Sequence, residues 1–343
     1  MKQYIFIALL VVALVLTGCN SSSAPSGPTY APFVGGNNGL TMELIPGMPP
    51  STEGAILDGG RSSFSIGVKV INEGEFDLDE GDLHLEVIGL YPSHFGVAYS
   101  DLDKVLEDPV AGTKKQINGV TVPGQFTSVV FEGLSYLPDS QGDWIQNFKV
   151  KSCYHYKTKS VTPICVANDV TGALTDTDTN PICEVSGVKS TENSGAPIKI
   201  TNVQQMPQGP TKISISFDVV HEGSGNVFAS SMGVPNNCDT ALQNPDLNKA
   251  TVSVYLSDQS SANTEVTCTG GFVGPLTPTR DNPLSSELVF SPGIPRIVTC
   301  TVQEITVGQD VIATDLLYVD VDYNYGEVLN GNFVVKDIGS VNE

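Results

Sequence analysis

Seven cysteines, four histidines and three runs of carboxylates are the side chains of this 343-residue chain whose types and spacing could do chemistry. Six of the cysteines (Cys153, Cys165, Cys183, Cys238, Cys268 and Cys300) show no Cys-x-x-Cys spacing, and His84, His94, His155 and His221 lie far apart. A zinc site needs four such ligands brought together, so disulfides are the better use of an even set of thiols outside the cytoplasm. Cys268 and Cys300 each sit centrally in a Thr-Cys-Thr segment that reads as strand, which favours pairing them. Closing that loop stabilises by about 3–4 kcal/mol on a chain-entropy account. Cys165 with Cys183, across a polar loop, is the second choice. Cys153 with Cys238 then remains, as a staple between the two halves of the chain.

The carboxylates fall into three clusters: Asp77, Asp79, Glu80 and Asp82; Asp176 and Asp178 with Asn180; and Asp320 and Asp322 with Asn324. Calcium takes six to eight oxygens from flexible loops. Asp176-x-Asp178-x-Asn180 is therefore the candidate metal site and calcium the one candidate cofactor, although Pro181 stands where an EF-hand loop needs glycine. Asp320-x-Asp322-x-Asn324 has Tyr325 at that place, and is more simply the wet face of a strand that buries Val319, Val321 and Tyr323. Glycoside hydrolysis is a second use of carboxylates and needs two of them about 5–10 Å apart across a cleft. Asp101, Asp103, Glu107 and Asp108, between Leu90 and Phe126, could supply the pair, and a short solvated helix explains them equally well. His84 and His155 fall on polar strand faces and are expected in solvent. The chain has no His-Glu-x-x-His, no Gly-x-Ser-x-Gly and no phosphate-cradling Gly-x-x-x-x-Gly-Lys, so no catalytic residue is assigned.

The elements that must carry these residues are strands. Phe64, Ile66, Val68 and Val70 alternate with Ser63, Ser65, Gly67 and Lys69, the period of a half-buried strand, and the run ends at Asn72-Glu73-Gly74. A second amphipathic strand follows at Leu83, Leu85 and Val87. The same pattern returns 149 residues later: Ile213, Ile215, Phe217 and Val219 alternate with Ser214, Ser216 and Asp218, ending at His221-Glu222-Gly223. Val252 to Leu256 then takes the part of Leu83 to Val87. The halves also close alike, Val150 to Tyr156 with Tyr154-x-Tyr156 against Val319 to Tyr325 with Tyr323-x-Tyr325. This order is expected from tandem duplication of one β-sandwich unit. The paired tyrosines are expected in its core, with Trp144 beside the closing strand. The only helical signals are single turns, at Ser100 to Leu106 and Asp239 to Asn244. Neither could cover a parallel sheet, which excludes an α/β fold.

Lys2 followed by the apolar run Tyr4 to Leu16 has the length of a secretory signal, short of the roughly 20 residues of a membrane span. Leu16-Thr17-Gly18-Cys19 resembles the lipobox of prokaryotic lipoproteins. The resemblance implies lipidation of the Cys19 sulfur and cleavage just before it. Asn20 to Asn38, rich in Ser, Gly and Pro, reads as a flexible tether. A formal charge of −21 argues against nucleic acid as a partner and against docking on anionic lipid through a basic face. Hydrophobic content of 40% is enough for real cores.

Val68-x-Val70-x-Asn72-x-Gly74, followed by an amphipathic strand, resembles the immunoglobulin-like modules called cell-adhesion-related domains, which stand in bacterial and archaeal surface proteins. The second copy has His221 in place of the asparagine. The resemblance implies a β-sandwich and a surface setting and supplies no catalytic residues. The expected organisation is all-β, with two tandem antiparallel immunoglobulin-like sandwiches. It comprises a lipoprotein signal peptide over 1–18, a lipid-anchored tether over 19–38, a first sandwich over 39–167, an interdomain loop over 168–183 and a second sandwich over 184–343. The expected function is that of a non-enzymatic surface lipoprotein, membrane-anchored and facing outside the cytoplasm, with an adhesive, scaffolding or envelope-assembly role. Its partner would be an envelope or surface protein or a glycan. The alternative is a secreted carbohydrate-binding module or glycoside hydrolase using the loop carboxylates.

Overall fold

The computed structural model describes residues 32–51, 56–167, 183–230, 238–241, 243–257, 264–291, 293–303 and 312–339. The expected signal peptide over 1–18, Cys19, the expected tether up to residue 31, and Asp176, Asp178 and Asn180 lie outside the described residues. The described chain is mostly strand, and its sheets are built from antiparallel pairs with one short parallel contact.

Two small sheets carry the two copies of the alternating pattern. In the first half, β1 (Leu40–Leu44), β3 (Phe64–Asn72) and β8 (Phe126–Leu134) lie in the order β1-β3-β8. In the second, β10 (Gly187–Val188), β12 (Ile198–Gly209), β13 (Lys212–His221), β18 (Arg296–Gln303) and β16 (Glu265–Cys268) lie in that order. Ile66, Val68 and Val70 of β3 are fully buried, as are Ile213, Ile215, Phe217 and Val219 of β13. The period of two thus marks the core face in both copies.

A third, nine-stranded sheet belongs to both halves. Its spine is the two closing strands, β9 (Trp144–Ala167) and β19 (Ile312–Lys336). They pair antiparallel from Ile312 opposite Ala167 to Val335 opposite Trp144. Outside β9 lie β4 (Leu83–Ile88) and β5 (Asp103–Val105), and outside β19 lie β15 (Lys249–Leu256) and β17 (Leu284–Val289). Three short strands complete it: β2 (Ile56–Leu57) and β14 (Asn226–Ala229) on β19, and β11 (Glu192–Asn193) on β9. A separate two-stranded ribbon joins β6 (Lys114–Lys115) to β7 (Thr121–Val122).

This pairing relates the copies in a way the linear pattern did not suggest. Tyr154 stands opposite Tyr325 and Tyr156 opposite Tyr323, so a pseudo-twofold axis passes through the pair His155 and Asn324. Residues 32–343 accordingly cluster as one compact unit in which the 39–167 and 184–343 halves share a sheet. Each closing strand also reaches across. Phe333, near the end of β19, lies 4.9 Å from the Phe64 ring and 5.9 Å from those of Phe95 and Phe148, all in the first half. At the far end of β9, the buried Gln205 side chain of β12 bonds both backbone groups of Cys165, at 2.9 and 2.6 Å.

Three disulfides close the molecule. Cys268–Cys300 joins directly opposed residues of β16 and β18, Cys165–Cys183 ties the end of β9 to a residue 18 positions further along the chain, and Cys153–Cys238 ties β9 to the second half.

Three expectations need correction. The stretch Ser100 to Leu106 is a 3-10 turn (Tyr99–Leu102) running straight into β5, because Asp101 turns back to accept the Ala98 N–H and the chain then pairs with β4. Among the described residues the α-helix is α1 (Pro92–Phe95), which begins at a proline and stops at Gly96 in the left-handed region. Finally, Leu85 pairs with Ser152 and Val252 with Val321, so Val252 is the counterpart of Leu85, two residues from the match drawn by pattern.

Candidate functional site

On the inner face of the shared sheet the four tyrosines Tyr154, Tyr156, Tyr323 and Tyr325 are almost wholly buried, as expected of a core. The hydroxyls of Tyr156 and Tyr325 are satisfied by matching partners on the two sides of the axis. The Tyr156 hydroxyl donates to Asn72 Oδ1 at 3.1 Å, and the Tyr325 hydroxyl meets His221 Nε2 at 2.9 Å. Phe76 N–H donates to Tyr156 and Gly225 N–H to Tyr325. Gly39 O accepts from Glu73 and Gly74 N–H, as Pro197 O does from Glu222 and Gly223 N–H. The histidine that departs from the Asn-x-Gly pattern thus does the asparagine's work. A Cβ at Gly74 or Gly223 would collide with Tyr156 or Tyr325 respectively, which accounts for glycine at both turns.

The outer face carries the polar chemistry. His155, expected in solvent, is three-quarters covered and lies between two carboxylates, with Nε2 3.1 Å from Asp322 and Nδ1 3.9 Å from Asp82. Lys157 meets the other Asp322 oxygen at 3.0 Å. Asn324, expected on a wet face, is buried beside Ala229 of β14. His84 is likewise no free surface residue, because Asp103 lies 2.5 Å from its Nε2. Next to this cluster a groove of about 280 Å³ is lined by Asp320, Asp322, Lys157, Arg280, Tyr255, Ser230, Thr251 and Ser253. The ring of Tyr255 stacks on Tyr318 at 5.0 Å, and Arg280 lies over Tyr318.

The two aspartates are driven in opposite directions. Burial raises the Asp320 carboxyl, and the cations around it only partly offset that. Burial would raise Asp322 too, but hydrogen bonds from His155 and Ser230 and the charges of His155 and Lys157 outweigh it and hold it at about 2. Burial works against protonation of His155, yet the bond to Asp322 and the charges of Asp322 and Asp82 leave its pKa raised. These shifts fix the sign of the pH dependence. Asp322 stabilises the fold above its unfolded value of 3.8, and that contribution is lost as pH falls towards about 2. The His155 contribution is present below 6.5 and fades as pH rises through its raised value. Melting temperatures at pH 2, 4 and 7 should therefore fall most steeply between pH 4 and pH 2. Asp322→Asn should flatten that step, and an equal step in the variant would contradict the assignment.

His155 and Asp322 have the spacing of a base and its orienting carboxylate. However, both ring nitrogens are directed at carboxylates, and among the described residues no hydroxyl or thiol bonds the ring as a nucleophile would. The cluster works as an ionic clamp across the closing strands.

The other carboxylates are spread around. Asp77 bonds Lys114 and the Gly112 N–H, both at 2.8 Å, and Asp82 also caps the Asp79 N–H. Asp103 and Glu107 line an open depression of about 580 Å³ with Glu80, while Asp101 turns back on its own loop. Among the described residues no group of three or more His, Cys, Asp or Glu is placed to hold a metal ion, and no helix is long and apolar enough to cross a membrane.

No family model matches the chain, and no curated protein does. Among solved structures, a secreted serine protease, VesC from Vibrio cholerae, aligns with 83% of this chain and 50% of its own at 10% identity and a TM-score of 0.17. A GH31 α-xylosidase from Xanthomonas citri aligns with 88% of this chain and 28% of its own at 11% identity and a TM-score of 0.18. The chain thus spans half or less of these neighbours, and likeness at this level carries no argument about fold or activity.

Proposed function

We propose that this chain is a lipid-anchored, non-enzymatic protein on the outer side of the cell envelope, with an adhesive, scaffolding or assembly role. The observation that carries the reading is the set of three disulfides, which belongs in an oxidising compartment. Leu16-Thr17-Gly18-Cys19 supplies the anchor, and two acyl chains at about 0.8 kcal/mol per buried methylene hold firmly. The net charge of −21 keeps the body soluble and away from anionic headgroups. The reading of each half as an immunoglobulin-like sandwich, similar to the cell-adhesion-related domains, is supported by the matched turns at Asn72-Glu73-Gly74 and His221-Glu222-Gly223. Partners of this class of protein are an envelope or surface protein or a glycan.

Replacing the anchor cysteine tests the proposal. Cys19→Ser should abolish incorporation of labelled palmitate and release the protein into the medium or periplasm. Labelled protein that stays with the membrane after the substitution would overturn it.

A further inference from the structure

The pseudo-twofold axis provides an internal comparison, because each cleft between a small sheet and the closing strands has a counterpart. On the β9 side the outer edge is covered. Lys159 N–H donates to Ser194 Oγ at 2.9 Å, Ser194 N–H donates to Lys159 O at 2.8 Å, and β11 pairs with Ser160 and Val161. Asn193 also bonds both backbone groups of Ile200 on β12.

The counterpart of Lys159 is Val328 and that of Ile200 is Met42. Among the described residues no segment pairs with the outer edge of β19 between Gly326, where β14 ends, and Val335, where β2 begins. Val328 is half exposed. A cleft of about 480 Å³ lies there, bounded by Leu40 and Met42, by Ser224 and Asn226, and by Glu327 and Val328.

Phe33 to Asn37 are the residues that the axis would place on this edge, as the counterparts of Thr191 to Gly195. They are tied down elsewhere. Val34 and Gly35 N–H donate to the Glu75 carboxylate, each at 2.9 Å, and Gly36 O accepts from Ala196. Gly35 and Gly36, at φ of 81° and 113°, let the chain turn that way. The cleft also differs in charge from its covered counterpart. Thr158 there bonds Tyr323 and Ile198, whereas here Glu327 bonds the Tyr154 hydroxyl at 3.3 Å and has no cation beside it among the described residues. Burial pushes the Glu327 carboxyl up.

We infer that this edge of β19 takes an extended peptide segment of a partner protein, added as β11 is added to β9, with a lysine or arginine of that segment facing Glu327. The unpaired Val328 backbone supplies the main-chain bonds, and Glu327 selects the basic side chain. The inference is independent of lipidation, so the Cys19→Ser result does not bear on it.

The test uses the full chain in detergent and two fluorescein-labelled peptides. One is Ser-Thr-Glu-Asn-Ser-Gly, copied from residues 190–195. The other ends in lysine, at the position that the axis sets against Glu327. Fluorescence anisotropy should show the lysine peptide binding about tenfold more tightly, as expected of a charge-assisted bond. Glu327→Gln should abolish that preference. Hydrogen exchange at Val328 should slow when either peptide is bound, a readout that needs no variant. No binding, equal binding of the two peptides, a preference that survives Glu327→Gln, or unchanged exchange at Val328 would each overturn the inference.

Discussion

Residues 32–183 produced without the second half will not fold as a monomer, and neither will residues 184–343 alone. The reason lies in the closing strands. Without β19, the 24 residues of β9 lose the partner they pair with from end to end, and the first core loses Phe333 and Val335. Truncating one buried phenylalanine costs about 3–5 kcal/mol, against a total domain stability of only about 5–15 kcal/mol. The pairing, the aromatic cluster and the Gln205 bonds to Cys165 would all be lost together. Urea titration of the separate halves should show no cooperative monomeric transition. A half that does fold should do so as a dimer, with β9 against β9 in the register set by His155. Two monomeric halves, each unfolding cooperatively, would contradict the shared sheet.

The second large effect is expected at the tyrosine hydroxyls. Tyr325→Ala removes a buried ring between His221 and Tyr154 and should destabilise by about 3–5 kcal/mol. Tyr325→Phe keeps the ring but strands the Gly225 N–H and the His221 ring, for about 1–3 kcal/mol. Tyr156→Phe should cost a similar amount, since Asn72 and Phe76 hold its hydroxyl in the equivalent way. Equilibrium unfolding of these variants at pH 7 measures the costs. A loss confined to one of the two phenylalanine variants would deny the equivalence of Asn72 and His221.

Much of the strand content was legible because alternation encodes a buried face directly, as Val68 and Val70, or Phe217 and Val219, illustrate. The buried tyrosines were legible for the same reason. The pairing of β9 with β19 was not, since periodicity states which face of a strand is apolar and says nothing of its neighbour. A hint was present in Tyr154-x-Tyr156 and Tyr323-x-Tyr325. Identical closing strands on duplicated units can pair about a twofold axis, which sets each tyrosine against its opposite number. The roles of Gly39 and Pro197, at the entries to β1 and β12, were hidden because their carbonyls act, and a carbonyl carries no side-chain signature. His84 and His155 were misplaced for a related reason. A histidine on a polar face is exposed only if no loop or strand brings a carboxylate over it, and Asp103 and Asp322 do so here. Glu327 gave no signal at all, because its setting depends on a cleft formed by segments nearly three hundred residues apart in the chain.

The pseudo-twofold pairing of the closing strands is the claim on which the shared sheet, the unfoldable halves and the peptide cleft all rest. An Hα–Hα nuclear Overhauser contact between His155 and Asn324 tests it most directly. The Lys159 backbone groups point outward to Ser194, which makes His155 and Asn324 a non-hydrogen-bonded pair with Cα atoms about 4.5 Å apart and Hα atoms in contact. The account predicts that contact, with a matching one between Lys157 and Asp322. Contacts shifted by two residues, or none between β9 and β19, would contradict it.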